Sequence, residues 1–186
     1  MDSFNESNQQ KFPDAQAPRP ARIYLRIIAF LLDFVLIALL STVLLGRFIL
    51  PYQFPDAMAE LNAMIDQYMA SGKLPDNLLN LPPSVQNMVH FAQGFTLILW
   101  WVYFSALEIG FQGGSLGKKM FKLRAVYYNN GEALSLFGHI IRSAFKTLIL
   151  LSYFPLLIVN ALFMFFNSSR RAGHDYLCRS MVIEED

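Results

Sequence analysis

Three charged residues stand where the sequence has almost none. Asp33 is the only charged residue between Ile27 and Leu45, and Glu108 is the only one between Phe91 and Ile109. Arg26 lies two helical turns before Asp33. An aspartate near the centre of a membrane helix costs about 2.5–3.5 kcal/mol on insertion scales, so it needs a partner, water or a proton. Asp33, with Arg26 and Glu108 to tune it, is therefore a candidate ion or proton site. The structural alternative is a polar clasp, in which buried charges fix how helices pack. Two turns separate Arg26 from Asp33 by ~10.5 Å along the axis, too far for an easy pair within one helix. The spacing instead predicts that Arg26 pairs with Glu108 while Asp33 looks into the bundle.

Other combinations fall short of chemistry. His174-Asp175 are adjacent and no Gly-x-Ser-x-Gly elbow accompanies them. Asp175 reads as a helix cap or as the partner of Arg142, Arg170 or Arg171. The stretch from Gly110 to Lys119 superficially resembles a phosphate loop. It fails the pattern, because Gln112 stands five before Gly117 and Lys119 replaces the required Ser/Thr after Lys118. Gly113, Gly114 and Gly117 more simply permit a tight turn. His90, His139 and His174 are isolated, which argues against a metal site. The single Cys178 excludes an intramolecular disulfide and reads as a small buried or half-buried side chain. Asn160 reads as an interhelical hydrogen bond. No nucleophile, base and oxyanion set is present and no cofactor motif, so neither an enzyme nor a cofactor is expected.

The elements that must position these residues follow from composition. The chain has 186 residues, 54% hydrophobic and 16% charged, where soluble chains carry roughly 25% charged residues. Mean hydropathy is +0.34. The apolar surplus falls in three blocks, Ile27–Leu45, Phe91–Ile109 and Thr147–Phe166. Each is about 19–20 residues long, enough to cross ~30 Å of hydrocarbon. Too little polar chain remains to cover three such helices in water. The expected fold is an all-α integral membrane protein with three hydrophobic regions: two spans, then a third span or a Pro-broken helical hairpin.

The first block begins more than twenty residues in and lacks an Ala-x-Ala-like site, unlike a cleaved signal peptide. Residues 1–20 are expected to be a disordered tail, 21–50 the first span and 51–87 an extracytoplasmic insertion. Pro51 and Pro55 are expected to stop the first helix, with Asp56 as an N-cap. Met58, Leu61, Ile65 and Met69 then recur at helical spacing and Gly72 suits a C-cap, which predicts a short amphipathic external helix. Those methionines read as flexible packing, not as soft-metal ligands, since no Cys or His accompanies them. Pro82-Pro83-Ser84 introduces the second span, 88–109, with Ser84 as its cap. A basic loop covers 110–133. Within it Phe121–Tyr128 has strand character and Asn129-Asn130-Gly131 is a hairpin-type turn. A second short strand, Ser180–Ile183, completes a small interfacial β element. The third hydrophobic region is 134–167, a C-terminal motif occupies 168–183, and 184–186 is an acidic end.

The net charge of +1, from 15 basic and 14 acidic residues, gives no reason to expect nucleic acid as a partner. It is a cancellation. Lys11, Arg19, Arg22 and Arg26 flank the first block, and Lys118, Lys119, Lys122, Arg124, Arg142 and Lys146 lie between the second and third. Between 51 and 87 only Lys73 stands against Asp56, Glu60, Asp66 and Asp76. This bias puts the N-terminus and the 110–146 loop in the cytoplasm and 51–87 outside. One straight third crossing would put the tail outside, although it carries Arg170, Arg171 and Arg179. A hairpin broken near Pro155, within Leu134–Phe166, would return it. The basic tail favours the return, and the two strands then pair on one side.

Four motifs carry a resemblance. Arg26-x-x-Ala29-x-x-x-Asp33, Gly114-Ser115-Leu116-Gly117-Lys118 followed by Lys122-Leu123-Arg124-Ala125-Val126, Arg142, and Arg170-Arg171-Ala172-Gly173-His174-Asp175 followed by Ser180-Met181-Val182-Ile183 resemble the signatures of the RDD family of membrane proteins. The arginine and two aspartates of that name fall on Arg26, Asp33 and Asp175. The resemblance covers about 21–50 and 88–183, so 21–183 is expected to be one RDD-like membrane domain. Ser115 replaces the family's usual threonine but keeps the hydroxyl, and 51–87 exceeds the usual short connection. The resemblance implies a multi-pass protein of a bacterial inner membrane, and for its activity proton-coupled transport of a monovalent cation through Asp33. So few helices would require an oligomer to enclose a pathway. The alternative is a non-enzymatic accessory or scaffold protein, with Lys118, Lys119 and Lys122 meeting anionic lipid or a membrane partner and 51–87 meeting an envelope partner.

Overall fold

The first apolar block winds into α1 (Ile23–Val43) because nothing in it competes with the helical backbone. It contains no Gly or Pro, and its hydroxyls fold back, Ser41 onto the Ile37 carbonyl and Thr42 onto that of Ala38. The computed structural model describes residues 19–72, 81–152 and 154–185. The expected N-terminal tail up to residue 18, and Lys73 and Asp76 of the insertion, lie outside the described residues.

Helix α1 runs on through a π-helical segment (Leu44–Ile49) into α2 (Leu50–Gln53). Pro51 does not stop it, contrary to expectation. It sits in the first turn of α2, where a missing N–H is best tolerated. The stop comes at Phe54, which lies outside the helical region at φ −136 and ψ 58. A residue before proline, here Pro55, is pushed out of the α conformation. Helix α3 (Pro55–Ser71) follows the predicted amphipathic stretch, and Gly72 closes it in the left-handed region at φ +65. Asp56 lies in its first turn and does not cap it; Phe54 holds the cap position. Ala57, Met58 and Leu61 pack on Val85 and Met88 of α4 (Pro83–Gly110), whereas Ile65 and Met69 stay exposed. Ser84 does not cap α4 either. Pro82 takes that position, and the Ser84 hydroxyl donates to Glu60 of α3.

The fold is mostly helical, with two helices long and apolar enough to cross a membrane, Ile23–Gln53 and Pro83–Gly110, whose most apolar 18-residue stretches have mean hydropathy 2.7 and 1.2. Only 22% and 17% of their apolar windows are buried, so they are not core helices of a water-soluble fold. Val35 and Leu39 on α1, and Ile98 and Val102 on α4, face outward. The two helices meet through Ile37, Trp100 and Phe104, and Trp100 Nε1 donates to Ser41 Oγ at 2.7 Å.

After α4 the chain turns sharply. Gly113 has φ +96, and a Cβ there would lie 2.4 Å from the Ala125 carbonyl oxygen. The short helix α5 (Leu116–Met120) follows, then β1 (Leu123–Tyr127). β1 pairs antiparallel with β2 (Ser180–Glu184), from Leu123↔Glu184 to Tyr127↔Ser180. The N-terminal flank joins them, since Ala21 N–H donates to the Val182 carbonyl at 2.9 Å. Past Gly131 the chain doubles back, and Ala133 bridges Val126.

The third apolar region holds α6 (Leu136–Ser152) and α7 (Phe154–Leu162). Each is shorter than the ~20 residues of a crossing. α6 starts beside the β element, and its Leu150 reaches the Ile37–Trp100–Phe104 cluster. On α7, Asn160 accepts from the backbone N–H of His174 in α8 (Gly173–Leu177). Arg142 of α6 reaches the same short helix, bonding Asp175, so both α6 and α7 contact α8.

Candidate functional site

The four motifs converge at one end of the molecule. Asp33 is 1% exposed, and both its carboxylate oxygens are engaged. Ser115 Oγ donates to Oδ2, and Gly117 N–H donates to Oδ1 at 2.9 Å. Ser115 also caps α5, accepting from Lys118 N–H at 3.4 Å. Asp33 is thereby bonded to the N-terminus of α5, where free N–H groups favour a negative charge. The sequence makes this possible at two small residues. A Cβ on Gly117 would fall 2.0 Å from the Ala29 carbonyl oxygen, so the loop packs directly on the backbone of α1.

The predicted Arg26–Glu108 pair does not form among the described residues. Arg26 Nη2 instead meets Asp175 Oδ2 at 2.6 Å, and Nη1 donates to the Arg170 carbonyl. Glu108, fully buried, takes Arg142 at 2.5 Å and Lys118 at 2.9 Å on the same oxygen. Arg142 reaches across to Asp175 at 2.8 Å. The result is one alternating chain of charges, Lys118–Glu108–Arg142–Asp175–Arg26, drawn from α5, α4, α6, α8 and α1. The physical reason is reach: the partners come from the loop and the tail, which fold over the helix ends. Asp175 is also the expected cap, since its Oδ2 accepts from Ala172 N–H at 3.1 Å. Burial alone would raise its pKa, but the guanidiniums of Arg142 and Arg26 hold the carboxyl well below the usual range. Burial pushes the His174 imidazole down to about 3, so it is neutral and bonds Asn160 Oδ1 at 3.2 Å.

Further buried polar groups join the site from α6. His139, Arg142, Ser143, Lys146 and Thr147 form a stripe at helical spacing, all buried. His139 Nδ1 stands 3.8 Å from Glu108 Oε2. Among the described residues, the buried hydroxyls of Ser105, Ser143 and Thr147 lack a hydrogen-bond partner. Lys146 is 8% exposed and makes no hydrogen bond or ion pair. Its Nζ lies 3.6 Å from the centroid of the Phe104 ring. A desolvated cation–π contact is worth about 2 kcal/mol, less than the several kcal/mol of burying an ion. The cation–π contact therefore does not by itself compensate a charge on Lys146. Of the basic loop residues, Lys118 is buried here and not on the surface; Lys119 and Arg124 pair with Glu185, and Lys122 is exposed.

The arrangement binds five segments together, and among the described residues the buried Lys146 and Arg171 make no ion pair, Arg171 donating instead to the Ser180 and Asp175 carbonyls. Among the described residues, no group of His, Cys, Asp and Glu is placed to hold a metal. Comparison with curated proteins finds no match, and comparison with solved structures finds none. The model of the RDD family matches residues 20–179, and the chain belongs to the RDD family.

Proposed function

We propose that this membrane protein acts as a non-enzymatic accessory or scaffold component of a bacterial inner membrane. In this reading α1 with α2, and α4, cross the bilayer. α3 lies outside, and the α6–α7 hairpin enters from and returns to the cytoplasmic side. Arg19, Lys122 and Arg179, all exposed, lie at the end where both chain flanks meet, which supports a cytoplasmic assignment for that end. Its partners are the bilayer and a second membrane or envelope protein, or another copy of this chain.

The observation that carries this reading is the state of Asp33. An ion-handling carboxylate must exchange its partners for water or a cation during each cycle. Asp33 is instead buried, with both oxygens holding Ser115 and Gly117, and its neighbours are mostly cations. The test is sodium- and potassium-dependent proton flux in proteoliposomes, wild type beside Asp33→Asn. The expected result is no coupled flux from the wild type, with Asp33→Asn lowering the melting temperature. Coupled flux from the wild type that vanishes in a folded Asp33→Asn protein would establish cation transport instead.

A further inference from the structure

Beside the buried charges lies a cavity of about 340 Å³. Arg26, Lys118, Arg142 and Lys146 all border it, and Asp33 is its one bordering carboxylate. Asp33 is already occupied by Ser115 and Gly117, and three of the cations are shared with Glu108 and Asp175. Lys146 is over nine-tenths buried, borders the cavity and makes no ion pair among the described residues. The site therefore attracts an anion and repels a cation.

The rest of the wall is apolar and is supplied by two facing helices. Ile27, Phe30 and Leu31 come from α1, and Ile158, Ala161 and Met164 from α7. Ile27, Leu31 and Ile158 are at the same time exposed on the outer surface, at 38%, 51% and 47%. The apolar wall is thus continuous with the surface of an apolar helix. A volume at the low end of the ~300–1,000 Å³ range of ligand pockets holds a headgroup and the first few methylenes, not a whole lipid. The remaining chain must leave between α1 and α7.

We infer that this cavity binds an anionic amphiphile, with its phosphate against Lys146 and its alkyl chain running out between α1 and α7 along Ile27, Leu31 and Ile158. The assignment is independent of whether the chain moves ions.

The test uses the full chain purified in detergent and titrated by native mass spectrometry. The probes are phosphatidylglycerol, phosphatidylcholine with the same acyl chains, and inorganic phosphate. Phosphatidylglycerol is expected to bind most tightly. Lys146→Met is expected to weaken it about tenfold, the effect of losing one charge-assisted contact, while Lys122→Met at the exposed loop leaves it unchanged. Lys146→Met removes a buried charge that makes no ion pair among the described residues, so its lipid-free melting temperature should at least equal the wild type's. Ala161→Trp narrows the cavity without altering charge, should weaken binding too, and carries the test alone if Lys146→Met is not recovered. Equal binding of the two lipids, or wild-type affinity in the recovered variants, would overturn the inference. Inorganic phosphate binding as tightly as the lipid would overturn the amphiphilic assignment in favour of a free phosphate ligand.

Discussion

Glu108 is the residue on which the buried charges most depend. Both Arg142 and Lys118 converge on one of its oxygens, and no solvent reaches it to compensate a loss. Removing one partner from a buried ion pair costs about 3–5 kcal/mol, because the remaining charge stays desolvated. Glu108→Gln should therefore lower the melting temperature in detergent far more than Glu185→Gln, whose pairs with Lys119 and Arg124 are partly exposed. Equal effects from the two would show that the interior charges are well hydrated. At this scale the sequence singled out Arg26, Asp33 and Glu108 as charges in apolar surroundings and offered Arg142, Arg170 or Arg171 as partners of Asp175. It anticipated Asp175–Arg142 but mispaired Arg26 with Glu108, because apolar blocks reveal where a charge is costly and not which loop folds over it. The stripe from His139 to Thr147 on α6 went unread, although its spacing carried the signal. Positions i, i+3, i+4, i+7 and i+8 are one helical face, and five polar residues share it.

At the scale of elements, the decisive joint is α5 against α1. Gly117 and Ala29 let two backbones touch, and that contact delivers Ser115 and Gly117 to Asp33. Gly117→Ala would drive a methyl group into the Ala29 carbonyl. Overpacking of this kind costs about 1–3 kcal/mol, with the Asp33 hydrogen bonds lost in addition. Gly94→Ala, in the middle of α4 with nothing within 4 Å of the added carbon, should be neutral or slightly stabilising. Thermal melts of the two variants separate a close-packing role from a general preference for glycine. The helix positions and both strands follow from local sequence, since period, proline and turn residues act over a few positions. The misplaced stops and caps at Pro51, Asp56 and Ser84 have a common cause. A proline in a first turn is compatible with helix, and a side chain such as Ser84 leaves its own backbone when a neighbouring carboxylate is within reach.

In the whole molecule, the two flanks of the chain meet at one end. Ala21 bonds to Val182, Arg22 pairs with Glu184 at 3.0 Å, and β2 lies against β1 of the loop after α4. Those contacts hold the N-terminal flank and the tail at one end of the molecule. The proposed topology, in which Ile23–Gln53 and Pro83–Gly110 cross and α6–α7 adds no crossing, keeps both flanks on one side. A straight third crossing would separate β2 from β1 by the full bilayer and strip Asp175 from both Arg26 and Arg142. The net charge of +1 thus conceals a strongly one-sided molecule, in which the basic loop and tail share one face. Fusions of a fluorescent reporter that matures only in the cytoplasm, placed at the N-terminus and after Asp186, should both be bright. An alkaline phosphatase fusion at Gly72 should be active, and one after Asp186 inactive. A phosphatase-active C-terminal fusion would break the β1–β2 register and the Asp175 ion pairs together, since no single-side arrangement of those contacts survives a tail on the opposite face.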